Sequence, residues 1–136
     1  SDANPAGNVF GGAILKHIDM VAGIVAQRFS QTNAVTVSMD KISFLKPVFV
    51  GNVLFVKAQV NYVQKSSMEI EVNVEAEDIA KGTRVHTGNA YVTFVALDEN
   101  GKPTPVPMLR IDNPEDQKRF DEGKLRMERR LKEREK

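Results

Sequence analysis

With 136 residues, 41% of them hydrophobic and 27% charged, the chain suits one compact domain with a single core. A net charge of +1 supplies no field to draw in nucleic acid or anionic lipid, and no apolar run nears the roughly 20 residues that span a bilayer. The absence of cysteine, with only His17 and His86 as histidines, excludes disulfides and a histidine–cysteine metal set. A soluble, cytoplasmic protein without a metal is the expectation.

Residues 1–12, SDANPAGNVFGG, crowd Asn, Pro and Gly together and predict a loop with tight turns. From Ala13 to Phe29 the apolar residues Ile14, Ile18, Val21, Val25 and Phe29 recur at helical spacing, and Ala22, Ile24 and Ala26 add apolar character elsewhere. This predicts a helix buried on most sides and wrapped by a sheet. Strands follow at 34–40, 53–63, 68–76 and 84–97. The third alternates Met68, Ile70, Val72, Val74 and Ala76 with Glu69, Glu71, Asn73 and Glu75, which predicts one dry face and one wet face. Short loops favour antiparallel neighbours, and the class is α+β. After Gly101 the prolines of KPTPVP keep the chain extended. Asn113-Pro114-Glu115-Asp116 then reads as a capped helix start, and the helix runs to about Arg134 as a surface extension (residues 108–136) of a main domain over 1–107. Its apolar stripe is thin: Phe120, Met127, Leu131. Glu128, Glu133 and Glu135 interrupt the basic residues from Arg126 onward, so a solvated helix face is expected there and not a nucleic-acid contact.

Two features carry chemistry. Gly11 and Gly12 stand where the first helix begins, and the N–H groups of a first helical turn have no partner within the helix. They can receive a carbonyl oxygen that becomes an oxyanion in acyl transfer. A tight turn entering a buried helix explains the same glycines. Asp19 lies inside the helix between Ile18 and Met20, and a buried carboxylate there would be costly without a purpose. An outward strip shared with Lys16 and Gly23 is the other reading. Seven residues of helix put Gly12 and Asp19 about 10 Å apart, too far to share one carbonyl. They could meet if a second, antiparallel helix brought one chain's Asp19 to the other's Gly12, as a symmetric dimer does twice.

DANPAGNVFGG followed by HIDMVAGIVA resembles the acyl-CoA thioesterases of the hot-dog superfamily, in the branch with the bacterial broad-range enzymes and the two-domain brain acyl-CoA hydrolase. The likeness continues through FLKPVFVGNVL, KSSMEIEVNVEAED, VTFVALDENGKPTPVP and KRFDEGK, and so covers nearly the whole chain. It implies a hot-dog fold, a long helix wrapped by a curved antiparallel sheet. It also implies homodimers with a continuous sheet, often assembled as trimers of dimers. The family pattern has a strand before the Asp-Ala-Asn motif, and that strand is missing from a sequence beginning at Ser1.

The resemblance also implies that Asp19 is catalytic and that Asn4 contributes from across the dimer interface. The implied activity is hydrolysis of fatty acyl-CoA to acid and CoA, with CoA as part of the substrate and no cofactor. Asp19 would act as general base on water or attack the carbonyl itself; the residues leave both open. Gly12, with Gly11, would hold the oxyanion, and Asn4 would place the water or the carbonyl. Phe10, with Val48 and Phe49, borders the acyl chain or simply packs. Ser66 and Ser67, in the hairpin after Lys65, bond the pantetheine or a phosphate or serve the turn. His17 cannot be oriented by Asp19, because residues two apart on a helix do not share a face. That weighs against a hydratase or dehydratase; a non-catalytic acyl-CoA binder is the other alternative.

Overall fold

The computed structural model describes residues 11–44 and 48–134. Helix α1 (Gly11–Ser30) leads into strands β1 (Asn33–Phe44), β2 (Val53–Gln64), β3 (Ser67–Asp78) and β4 (Thr83–Leu97), and helix α2 (Pro114–Arg134) closes the series. The strands form one antiparallel sheet in the order β1-β4-β3-β2. This is the α+β hot-dog architecture, with α1 lying against one face of the sheet.

The alternation in β3 explains that face. Met68, Ile70, Val72 and Val74 are fully buried, joined from β4 by Ala90, Val92, Phe94 and Ala96. Helix α1 meets them with Ile14, Ile18, Ala22 and Ala26, four residues at successive i,i+4 positions. Each large side chain buried this way contributes about 1.5–3 kcal/mol. The expectation of a helix buried on most sides is corrected for the single chain. Lys16, His17, Asp19, Met20, Ile24, Gln27 and Arg28 are exposed. A four-stranded sheet beneath a cylinder covers one stripe of it, whatever the composition of the rest.

The opposite face of the sheet is also not simply wet. Glu69, on its polar side, is only 3% exposed, because α2 roofs it. Arg126 donates to both carboxylate oxygens of Glu69 at 2.9 and 2.7 Å, and its guanidinium stacks 3.7 Å over the Tyr91 ring. Burial alone would lower the Arg126 pKa, but the hydrogen bonds and charge of Glu69 outweigh it and the net shift is upward. Arg130 donates to Thr93 at 2.7 Å, Asp40 at 3.1 Å and Ser38 at 3.2 Å. The solvated basic face expected from Arg126 onward is therefore corrected: these two arginines dock the helix, while Arg129, Lys132 and Arg134 stay exposed. The start of α2 is as expected, with Asn113 Oδ1 accepting from the Asp116 N–H at 2.8 Å.

Docking requires α2 to come very close at one point. Phe120 meets Tyr62 edge-on at 4.8 Å, and a Cβ on Gly123 would lie 2.7 Å from the Tyr62 Cβ and 3.0 Å from Glu69 Oε1. Alanine ordinarily favours a helix over glycine, but overpacking of this kind costs about 1–3 kcal/mol. Gly123→Ala should lower stability by that amount in urea denaturation; a more stable variant would show that α2 does not sit this close.

Candidate active site

Four of the α1 residues left out of the core form one stripe. Gly12, Lys16, Asp19 and Gly23 follow at spacings of four, three and four, so they share a face. Gly12 and Asp19 are both exposed, two turns apart on the same helix. The outward placement of Asp19 corrects any reading of it as buried within its own subunit.

Asp19 is nevertheless held. Thr36, on β1, donates its hydroxyl to Asp19 Oδ1 at 2.8 Å. Thr36 pairs with Phe94 of β4, whose ring belongs to the core, so both residues point to the helix side of the sheet. Immediately after Thr36 the β1–β4 register slips, leaving Val37 unpaired and Ser38 opposite Thr93. Such a bulge re-aims the side chains of an edge strand. Among the described residues no donor reaches Asp19 Oδ2. One carboxylate oxygen is thus held by a residue of the sheet.

Thr36 was not foreseen. The available signal was a polar residue on the helix-facing side of an apolar strand, with Ala34 before it and Met39 after it. The bulge at Val37 breaks the two-residue period that would have revealed it.

The other candidates divide. Gly11 and Gly12 do open α1, and a Cβ at Gly12 would meet nothing within 4 Å among the described residues. Asn4 and Phe10 lie outside the described residues. Ser67 opens β3 next to core residue Met68, so it faces away from α1 and from Asp19 in the same subunit. Ser66 sits at the hairpin, where its carbonyl accepts from the Ala96 N–H at 2.9 Å. That end of the hairpin is also strapped by the Val106 N–H donating to the Lys65 carbonyl at 2.8 Å. His17 and His86 are both exposed. Among the described residues no cluster of His, Asp or Glu could hold a metal, and no helix is long and apolar enough to cross a membrane.

Residues 6–83, which contain Asp19 and Thr36, match the thioesterase superfamily. The chain belongs to that superfamily. Among its relatives in the family, the cytosolic acyl coenzyme A thioester hydrolase of Rattus norvegicus is 41% identical over 93% of this chain. The chain spans only 34% of that relative's length. An acyl-CoA hydrolase variant from Staphylococcus aureus superposes with a TM-score of 0.90 at 34% identity, covering 98% of this chain and 82% of that one. Structures of that enzyme carry alanine in place of an aspartate, a threonine or an asparagine. A hexameric thioesterase from Yersinia pestis gives a TM-score of 0.74 at 34% identity, over 79% of this chain and 88% of its own.

Because the Thr36–Asp19 bond lies at an exposed position, it should contribute little to folding. Thr36→Val is expected to change stability by no more than about 1 kcal/mol in urea denaturation. A larger loss would make Thr36 a structural residue first.

Proposed function

We propose that this thioesterase-superfamily chain hydrolyses acyl-CoA, and that its active site forms between two copies of the chain. The observation that carries the reading is the exposed stripe on α1, which presents a tethered carboxylate and a bare glycine helix start on one face, about 10 Å apart. Two such helices laid antiparallel bring each Asp19 to the partner's Gly12, twice over. A thioester carbonyl in that gap would find N–H donors for its developing oxyanion and an acid residue for its carbon or its water. Thr36 holds Asp19 Oδ1 while Oδ2 faces the substrate. Water adds to the carbonyl carbon, the C–S bond breaks, and the sulfur leaves as CoA thiol with the proton that the carboxylate had taken up. Direct attack by Asp19 would pass through an anhydride that water then opens.

The residues replaced in the Staphylococcus aureus enzyme stand at the same spacing as Asn4, Asp19 and Thr36 here, and this supports assigning all three to the site. Asn4 would reach the carbonyl or the water from the partner subunit. The hexameric relative supports a trimer of such dimers, and the cytosolic relative supports a cytoplasmic setting.

The test is release of free thiol from several acyl-CoAs, followed with a thiol reagent. The wild-type chain should turn over. Asp19→Ala should lose about 10²–10⁴ in kcat while keeping its circular dichroism and its oligomeric state. Thr36→Val should lose roughly tenfold, the equivalent of one hydrogen bond. Asp19→Ala and Asn4→Ala subunits, each inactive alone, should recover activity when co-expressed, because a mixed pair contains one intact shared site. Binding without thiol release would leave an acyl-CoA binder, and hydration of crotonyl-CoA would indicate the lyase reading. Failure of the mixed subunits to recover would place the whole site in one chain.

A further inference from the structure

The glutamates that β3 turns to the outer face of the sheet keep different company. Glu69 meets Arg126, and Glu75 meets Arg84 at 3.3 Å and Lys57 at 3.9 Å. Glu71, between them, pairs with no cation among the described residues, although three amides hold it. Asn61 and Gln59 donate to its Oε1 at 2.9 and 3.4 Å, and Asn73 donates to its Oε2 at 3.4 Å. Each carboxylate oxygen offers about two lone pairs, so Oε1 is filled and Oε2 keeps one. Asn61 is only 1% exposed, and while its Nδ2 serves Glu71 its own Oδ1 finds no donor. A buried acceptor without a donor costs stability, so this arrangement serves the carboxylate and not the fold.

Glu71 borders a cavity of about 380 Å³ between the sheet and α2, lined also by Gln59, Asn61, Asn73 and Tyr91. The cations that reach the cavity from α2 are already matched. Lys118 lies by Glu122 and Arg119 by Glu115, each at 4.0 Å, and Arg126 lies on Glu69 at 2.7 Å. Burial raises the Tyr91 pKa, and the Glu71 charge raises it further. A metal ion fits poorly, because N–H donors occupy both oxygens of Glu71 and among the described residues no cluster of His, Asp or Glu could hold one. An ammonium group brings the N–H donor that the free lone pair lacks, together with the missing positive charge.

We propose that the cavity under α2 binds a small molecule through an ammonium group held by Glu71, on the face of the sheet opposite Asp19. Its walls come from both the sheet and α2, so a bound ligand fastens that helix.

The experiment titrates the whole chain with diaminobutane by calorimetry and NMR, with tetramethylammonium at matched ionic strength as the control. Diaminobutane should bind saturably with a Kd of about 1 mM or below, move the resonances of the Asn61 amide and the Tyr91 ring, and raise the melting temperature. Glu71→Gln should weaken binding at least tenfold and leave thiol release from acyl-CoA unchanged. Undiminished binding to a folded Glu71→Gln, or equal binding of tetramethylammonium, which has no N–H, would overturn the proposal. The absence of saturable binding, or resonance shifts confined to other surfaces, would overturn it as well; those shifts are read on the wild type and decide the matter even if the variant does not fold.

Discussion

Ile14, Ile18, Ala22 and Ala26 bind one face of α1 to the inner face of the sheet, and the rest of the molecule is arranged around that contact. A helix has only one face to give to a sheet. Once the four apolar residues take it, Gly12, Lys16 and Asp19 are left exposed, and Asp19 stays near enough to the sheet to meet Thr36. The carboxylate is therefore placed by hydrophobic packing that it does not share. Thr36 adds the fine adjustment from β1, with a single hydrogen bond of 2.8 Å.

The polar face of the sheet solves a different problem. Helix α2 has too few apolar residues to be held by burial, with only Gly123 and Met127 buried. It docks instead through guanidinium groups placed against acceptors of the sheet, Arg126 on Glu69 and Arg130 on Thr93 and Asp40. Buried ion pairs repay their desolvation only when geometry is good and further partners are present. The bidentate contact and the Tyr91 ring beneath Arg126 meet that condition. With both faces of the sheet covered, the described elements leave β1 and β2 as the sheet edges.

How much was legible depended on whether a residue's partner was set by its own period. The alternation of β3 foretold its two faces because every second residue shares an environment. Asn113 foretold the start of α2 because a cap acts within three residues. Thr36 was hidden by the Val37 bulge, which shifts the register at the position that matters. The exposure of Asp19 was obscured because the count of apolar residues in α1 includes Met20 and Ile24, which the sheet never reaches. Arg126 and Arg130 read as solvated because their acceptors, Glu69, Thr93 and Asp40, lie on other elements far away in sequence.

The sequence by itself determined the elements, their antiparallel class, the family resemblance and Asp19 as the residue of interest. All of these follow from local periodicity, capping chemistry and the order of motifs. Tertiary structure alone decided that Thr36 holds Asp19, that two arginines dock α2, and that the carboxylate is exposed on its own subunit. Those outcomes depend on which surfaces meet in space, and a linear pattern does not record the strand register, the bulge or the limited width of a four-stranded sheet.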